Sequence, residues 1–506
     1  MAQHLIHRTL FDLRLSTAKD ATDKQHQAAQ LFHTNLVKVM EEVFDEYVPN
    51  DRNWRFDKLE IDLGDLDLND NESWQIALRE RLTSTLLDFK KTEKTGKPLS
   101  ISDLESFIYF LKTGRLPWWS SASLAFDPSE KLIMLVKQEP ERLRQALKAI
   151  YTEGGVLERL VQQCSEKSLK TVMDTYTRNP KSLVDMGEIV LKALLSFTKQ
   201  VKNDTPSVAS ISSETLIILK KQLPKFYFHA VLVSNTEGGQ IEAFWQQIIN
   251  FLKQYDNFSA FMLYFKKHYL PKMGNKRRID ITHAIDEKGD FKVIVGENQT
   301  DKQTQPQSNK VISEKTVQQQ SNKKEDPEPL VFDDKEKDTL FIHNAGLILI
   351  APFFRHVFEA LGFIENKAFT TIEMHQRAVL LSQYLVTHET QLPEYQLVLN
   401  KLLCGYPLDE TLPATFEPTE AEQKACTELY ETIKENWGAM KRTSEGVFRT
   451  SFLQRMGKLQ KRTMDEAWQL TVERQTIDIL FETVPPKWSF GFVKLPWMVS
   501  PIWTEW

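Results

Sequence analysis

Glu139–Ile150, EPERLRQALKAI, and Cys164–Pro180, CSEKSLKTVMDTYTRNP, decide the fold class. Both are short amphipathic runs bounded by proline, a residue that starts helices but does not continue through them. With their neighbours they give short amphipathic helices at Glu130–Lys137, Pro140–Tyr151, Val156–Cys164, Ser168–Thr177 and Leu183–Lys199, separated by Pro or Gly. The stretch Leu99–Asn275 is therefore expected to be mostly helical, built of stacked helical hairpins. It opens with a helix whose apolar face is Phe107, Ile108 and Leu111. That helix breaks at Gly114, and Arg115-Leu116-Pro117-Trp118-Trp119 follows as a hinge-like aromatic knot. Ile241–His268 is a further helical stretch with Phe244, Ile248, Leu252 and Phe261 apolar. No fixed period links these runs, so a solenoid is not indicated.

Towards the N-terminus the period changes. Phe11, Leu13 and Leu15 alternate with Asp12 and Arg14, the period-two pattern of a half-buried strand. Ser16 and Thr17 offer helix caps, and Ala28, Phe32, Leu36, Val39, Val43 and Tyr47 then follow at steps of three and four until Pro49 and Asn50. Leu59, Ile61 and Leu63 alternate with Lys58, Glu60 and Asp62 as a second strand ending at Gly64. A second helix carries Trp74, Leu78, Leu82, Thr85 and Phe89 on one face. The module reads β-α-β-α, with parallel pairing through a right-handed crossover and antiparallel pairing both open.

Residues 296–337 are rich in Gln, Asn, Lys, Glu and Pro, with little to drive burial, and read as a flexible polar linker. Beyond it Leu340, Phe341 and Ile342 form an extended entry, and Asn344-Ala345-Gly346 a turn. Leu347–Leu361 is a buried helix with Pro352 near its first turns. Helices are expected at His375–Thr387, Glu394–Leu403, Glu420–Trp437 and Ser444–Gly457. Trp468, Leu470 and Val472 alternate with polar residues as a strand. Trp488, Phe490 and Phe492 read as its hairpin partner across Pro485-Pro486. The fold class is thus α+β and predominantly helical, with a small β/α module at the N-terminus, a helical middle region, and a C-terminal helical domain with a short β-hairpin. The expected divisions are 1–95, 96–295, the linker 296–337, and 338–506.

Composition narrows the function. The 506 residues are 41% hydrophobic and 26% charged, an ordinary globular balance. A net charge of -5 argues against nucleic acid as the main partner, since neutralising phosphates needs a basic surface. No apolar run is long enough to span a bilayer, and Met1–Ser16 lacks the apolar core of a signal peptide, so cytoplasmic synthesis is expected. Three widely spaced cysteines, Cys164, Cys404 and Cys426, offer neither a disulfide framework nor metal-ligand spacing. The 11 Trp and 30 Phe point instead to cores and protein interfaces.

Chemistry-bearing motifs are missing. There is no phosphate loop, dinucleotide fingerprint, paired-histidine zinc helix or nucleophile elbow. Asp65, Asp67 and Asn69 match the opening ligands of a calcium loop. Asp70 and Ile76, however, stand where the sharp-turn Gly and the bidentate Glu belong, so the run reads as an exposed strand-turn. His4, His7 and the His388-Glu389 pair read as ordinary structural or surface residues, and Lys276-Arg277-Arg278 as a solvated loop.

Several stretches, taken in order, resemble the tape measure protein family of contractile injection systems, the phage-tail-like particles. They are KLEIDLGDL at 58–66, FLKTGRLPWW at 110–119, ERLVQQCSEKSLKTVM at 158–173 and IHNAGLILIAPFF at 342–354. HQRAVLLSQYLVT at 375–387, LVLNKLLCGYPL at 397–408, NWGAMKRTS at 436–444 and RTSFLQRMGKL at 449–459 follow. WQLTVERQTIDILF at 468–481 and KLPWMVSPIWTEW at 494–506 complete the set. The resemblance marks as structural or interface residues Gly64, Gly114, Pro117, Trp118, Trp119, Asn344, Gly346, Pro352, Arg377 and Lys401. It also marks Gly405, Trp437, Arg449, Arg455, Gly457, Trp468, Pro496, Trp497 and Trp506. It implies a structural assembly protein that sits in the lumen of the growing tube and sets its length. Tube, baseplate and terminator subunits would be its partners, with self-association a further option, and no catalysis, cofactor or metal is implied. An assembly chaperone or adaptor that initiates tube growth or loads cargo is the alternative. A single helix of 506 residues would span at most roughly 760 Å, but 21 Pro and 18 Gly make one continuous helix unattainable.

Overall fold

A computed structural model describes residues 21–48, 52–53, 59–64, 69–92, 97–121, 126–201, 211–273, 339–462, 466–485 and 488–506, with isolated positions 6, 9, 56, 66, 67 and 281. The strand expected at 11–15, the basic triplet 276–278 and the polar stretch 296–337 lie outside the described residues. The molecule is mostly helical α+β. It divides into two bodies. One gathers Met1–Ala146, Thr152–Leu169 and Asp333–Trp506, and the other Leu147–Tyr151 and Lys170–Phe332.

In the first body the helix over 21–47 passes through a π turn at Phe32–Leu36. The extra residue of that turn rephases the apolar face, so that Ala28, Leu36, Val39 and Val43 all end up buried. The face packs on Trp74, Leu78, Leu82 and Leu86 of the helix Asn71–Thr92. Leu59, Ile61 and Leu63 keep their alternation, half-buried against this pair while Glu60 and Asp62 face out. They join no ladder among the described residues, which corrects the second expected strand. Nearby, β1 (Arg52–Asn53) pairs antiparallel with β2 (Lys97–Pro98). The helices Leu99–Thr113, Pro128–Gln138 and Val156–Gln163 follow. Asp127 caps the middle one, its Oδ1 accepting from the N–H groups of Ser129 and Glu130 at 2.7 and 3.2 Å.

The C-terminal part of this body is organised by a five-stranded sheet. Its strands are β3 (Thr339–Ile342), β6 (Gly457–Lys461), β7 (Trp468–Val472), β8 (Phe492–Val493) and β9 (Ile502–Glu505), in the order β3-β6-β7-β9-β8. A small hairpin, β4 (Ile364–Glu365) and β5 (Ala368–Phe369), stands apart. The expected hairpin between 468–472 and 488–492 is corrected here. β7 pairs antiparallel with β6 and parallel with β9, while Phe492–Val493 pairs with β9. Alternation told which residues face inward, but strand partnership depends on what the intervening chain does. Residues 476–483 turn as a 3-10 helix instead of continuing the strand. Leu459, Leu470 and Ile502 face a core shared with the helices Ile372–Thr387, Val398–Cys404 and Glu420–Asn436. The helix expected over 347–361 is interrupted, because Pro352 sits in a 3-10 turn, Ala351–Phe353, between two short helices.

The second body holds four long helices, Pro180–Val201, Ser213–Val233, Glu237–Leu252 and Phe258–His268. The single stretch expected over 241–268 is two helices, parted at residues 253–257. The helix Ser213–Val233 falls inside the stretch 99–275 expected to be mostly helical, though no local run delimits it. It runs through Pro224 and is capped by Ser212. Edge-on and stacked rings join these helices: Phe197 with Phe261 at 5.5 Å, Trp245 with Phe265 at 4.8 Å, and Tyr227 with Phe244 at 5.3 Å.

Leu470 is fully buried in the central strand, and its neighbour Thr471 faces out. Leu470→Ala is expected to cost about 2–5 kcal/mol in urea-induced unfolding, and Thr471→Ala less than about 0.5 kcal/mol. Equal effects would mean that the sheet's inner face is misassigned.

Candidate functional site

The helix Val156–Gln163 buries Val156, Arg159, Leu160 and Gln163. These positions fall at i, i+3, i+4 and i+7, a single helical stripe. Two of the four are polar, and both find partners in the C-terminal part of the same body. Arg159 lies wholly out of solvent, as does Glu394. Arg159 Nε donates to Glu394 Oε2 at 3.0 Å and one terminal nitrogen to Oε1 at 3.2 Å, a fork-on-carboxylate pairing. Two of the three remaining guanidinium hydrogens reach the carbonyls of Leu111 at 2.5 Å and Asp409 at 2.6 Å. Lys401, from the helix Val398–Cys404, donates to Glu394 Oε1 at 2.7 Å and to the carbonyls of Leu408 at 3.0 Å and Glu410 at 2.6 Å. Gln163 completes the set, accepting from the Glu394 backbone N–H at 2.9 Å and donating to the Leu412 carbonyl at 2.7 Å.

Two cations thus share one carboxylate. The excess positive charge is met by four backbone carbonyls turned inward. Burial pulls the Lys401 pKa down, and the Glu394 carboxylate opposes that pull. Three acceptors, one for each ammonium proton, favour the charged form. Gly114 makes the approach possible. It ends the helix Leu99–Thr113 at φ +71, and a Cβ there would collide with Glu394 Oε1. Phe110, Phe126 and Tyr395 form an edge-to-face aromatic group beside Glu394.

A second polar knot surrounds Asn344, whose amide donates to Gln383 Oε1 and Asn400 Oδ1, both at 2.7 Å. Asn400 in turn donates to Ser382 Oγ at 2.8 Å. Gly346 follows directly and must lack a side chain, because a Cβ would strike the Phe452 carbonyl. A third knot is Arg455, fully buried, which reaches Asp478 Oδ1 at 2.5 Å and the Glu473 carbonyl at 3.2 Å. Trp506 donates to Asp478 Oδ2 at 3.0 Å and packs on Phe481. Trp437, fully buried, donates to Thr483 Oγ1 at 2.8 Å and stacks on Phe481.

The other residues marked from sequence are dispersed. Trp497 donates to the Leu403 carbonyl at 2.9 Å and lies against Phe358 and Phe369. Gly405 caps the helix Val398–Cys404 beside it, and Pro496 lies in the adjoining turn. Arg377 forks onto Glu422 and covers the Phe416 ring, and Arg449 sits over Tyr430. Gly457 and Trp468 open β6 and β7. Pro117 precedes the four-residue helix Trp118–Ser121. Gly64, at φ +74, ends the extended stretch 59–63. Arg159, Gln163, Glu394, Gln383, Asn400, Glu422 and Asp478 were not singled out from sequence. Only the first two left a local signal, polar residues on an otherwise apolar stripe.

Residues considered for chemistry are placed in structural roles. Asp70 caps the helix that begins at Asn71, accepting from Ser73, and hydrogen bonds from Ser73 lower its pKa. Asp67 accepts from Asn69 in a turn, and Asp65 lies outside the described residues. No cluster of metal-binding side chains occurs among the described residues. His388 stacks on Tyr384. The three cysteines are buried, with desolvation pushing each thiol pKa up, that of Cys426 to about 12. A hollow lined by Arg115, Phe341, His343 and Tyr395 has room on the order of one or two waters.

Glu394→Gln removes the charge between two buried cations and is expected to cost about 3–5 kcal/mol by urea unfolding. Replacing Arg159, Glu394 and Lys401 together by Met, Leu and Met should cost less than the summed single changes. Strict additivity would show that the three do not act as one cluster. A pH effect follows from Glu422. Burial alone would raise its pKa, but Arg377 and the Thr419 N–H outweigh this and hold it below the usual 4.5. Its folded-state pKa is thus depressed, so the stability it contributes is full above pH 4.5 and is lost as pH falls through the folded value. Thermal midpoints below pH 4.5 should fall less steeply in Glu422→Gln than in the parent; parallel curves would remove the carboxylate from the account.

Three polar knots and an aromatic C-terminus therefore hold side chains against each other and against backbone. No curated protein and no solved structure matches the chain. The family model for the contractile injection system tape measure protein matches residues 3–506, from the N-terminal helices through the last strand of the sheet. The chain belongs to the contractile injection system tape measure protein family.

Proposed function

We propose that the chain sets the length of the inner tube of a contractile injection particle, acting from within the lumen and meeting tube, baseplate and terminator subunits. The observation that carries this reading is the whole-chain family match over residues 3–506. The side-chain chemistry supports it. Buried charges are paired with one another or with carbonyls, as in a scaffold whose task is to hold shape. No helix among the described residues is long and apolar enough to cross a membrane.

A second reading is favoured by one feature. The first body closes through contacts between residues 235 apart in sequence, Arg159 with Glu394, which suits a compact adaptor that starts tube growth or loads cargo. Removing the protein from a particle-producing cell separates the two. Loss of a ruler is expected to broaden the distribution of particle lengths seen by electron microscopy, and reintroducing the protein to narrow it again. Fewer particles of unchanged, uniform length would favour the adaptor and discard the ruler.

A further inference from the structure

We infer that the hollow beside β3 is a carboxylate-binding notch in the first body, built to take the side chain of an aspartate or glutamate on a partner subunit, with the Arg115 guanidinium as its anchor. Such a notch would serve a ruler and an adaptor alike. The buried cations described above find acceptors: Arg159 and Lys401 on Glu394 and four carbonyls, and Arg455 on Asp478 and the Glu473 carbonyl. Arg115 departs from that pattern. Its side chain is only 12% exposed, yet its ion pair with Asp409 Oδ1 spans 3.7 Å, too long for a hydrogen bond. Asp409 itself is 83% exposed, so water screens what attraction remains. The Arg115 Nε is buried and meets no acceptor among the described residues. A guanidinium stripped of water and given no acceptor is costly, and an oxygen from outside the chain would offset that cost.

The surroundings select the group that would supply this oxygen. Arg115 follows Gly114, which abuts Glu394, and it lies close enough to Lys401 to help pull that ammonium's pKa down. Arg115, Arg159 and Lys401 thus gather about a single buried carboxylate, and the excess of positive charge favours an anion over water. A guanidinium edge presents Nε and a terminal nitrogen as a parallel fork, which matches the two oxygens of a carboxylate. Tyr395, also in the lining, accepts from Gln396 Nε2 at 3.2 Å, which leaves its own hydroxyl proton to be donated. Leu340 and Val398, both buried, offer apolar wall to the methylene that carries a carboxylate, and half-buried His343 brings the lining out to solvent. Room on the order of one or two waters admits a carboxylate head and excludes a larger acid. The rest of the ligand must lie outside, as a partner's backbone does when it presents an acidic side chain.

Two measurements test the notch. In the first, the full chain is melted in sodium formate, the smallest carboxylate, and in sodium chloride of equal ionic strength. Formate is expected to raise the thermal midpoint saturably. Arg115→Met should abolish that rise and leave the midpoint in chloride no lower than the parent's, because the charge it removes had no partner. Equal midpoints of the parent in the two salts overturn the notch, as does a formate response retained by Arg115→Met or a variant destabilised in chloride. In the second, Arg115→Lys places an amine at the same point. In particles assembled with this variant, carbodiimide coupling read by peptide mass spectrometry should join residue 115 to an aspartate or glutamate of another chain. Coupling to Asp409 of its own chain alone, or no coupling, overturns the partner-borne carboxylate; where formate still stabilises the free protein, that result assigns the notch to a small free acid instead. Should Arg115→Met fail to fold, the coupling result decides alone.

Discussion

The two-cation, one-carboxylate cluster of Arg159, Glu394 and Lys401 is the constraint on which the first body depends. A buried carboxylate holding two cations is unfavourable unless every donor is met, because each charge has given up its water. Here the backbone supplies four of the acceptors. Leu111, Leu408, Asp409 and Glu410 all turn carbonyls toward the cations. Those carbonyls belong to the end of the helix Leu99–Thr113 and to the loop after Pro407, which Tyr406 also holds through the Thr411 carbonyl. The cluster therefore engages local backbone as well as joining distant segments.

Its specificity follows from the same arithmetic. A hydrophobic patch tolerates sliding by a residue, whereas a forked guanidinium and a three-acceptor ammonium accept one geometry. Gly114 shows how tight that geometry is, since no side chain fits between the helix end and Glu394. The Asn344 and Arg455 knots repeat the device within the C-terminal part. Each sits where a chain reversal meets the sheet: Asn344 after β3 and Arg455 before β6. Large aromatics pack nearby, with Trp437 against Phe452, Phe481 and Trp488, and Phe452 against Phe481. Apolar burial supplies the bulk of the cohesion, and the polar knots select one arrangement of it.

Much of this was legible in the sequence where the signal is local. The helices at 140–150, 156–163, 372–387 and 420–436 follow from periodicity, caps and bounding prolines. The strand at 468–472 follows from alternation. What failed was nonlocal or atypical. Ser213–Val233 carries apolar residues nearly all round and a proline inside, so neither a stripe nor an uninterrupted run announces it. Strand partners could not be read, because a parallel neighbour thirty residues on leaves no trace in the alternation of β7 itself. At the candidate site the sequence held half the answer. On the stripe Val156, Arg159, Leu160, Gln163, a charge stands where an apolar residue belongs, and a buried charge implies a partner. Nothing near Glu394 identifies it as that partner, because the pairing is made by the fold.

The order of strands carries one more consequence. β9 lies between β7 and β8, so the sheet cannot be completed until Ile502–Glu505 is threaded alongside Trp468–Thr471. The cluster at Glu394 likewise joins residues synthesised far apart, and β3 waits for β6 more than a hundred residues downstream. Contacts of such sequence separation carry a loop-closure cost before they return any burial. The first body thus rests on contacts of very long sequence separation, whereas those printed among the helices of the second body, such as Phe197 with Phe261, reach across some sixty residues. One chain thus combines a part closed by contacts of shorter reach with a part whose structure is collective.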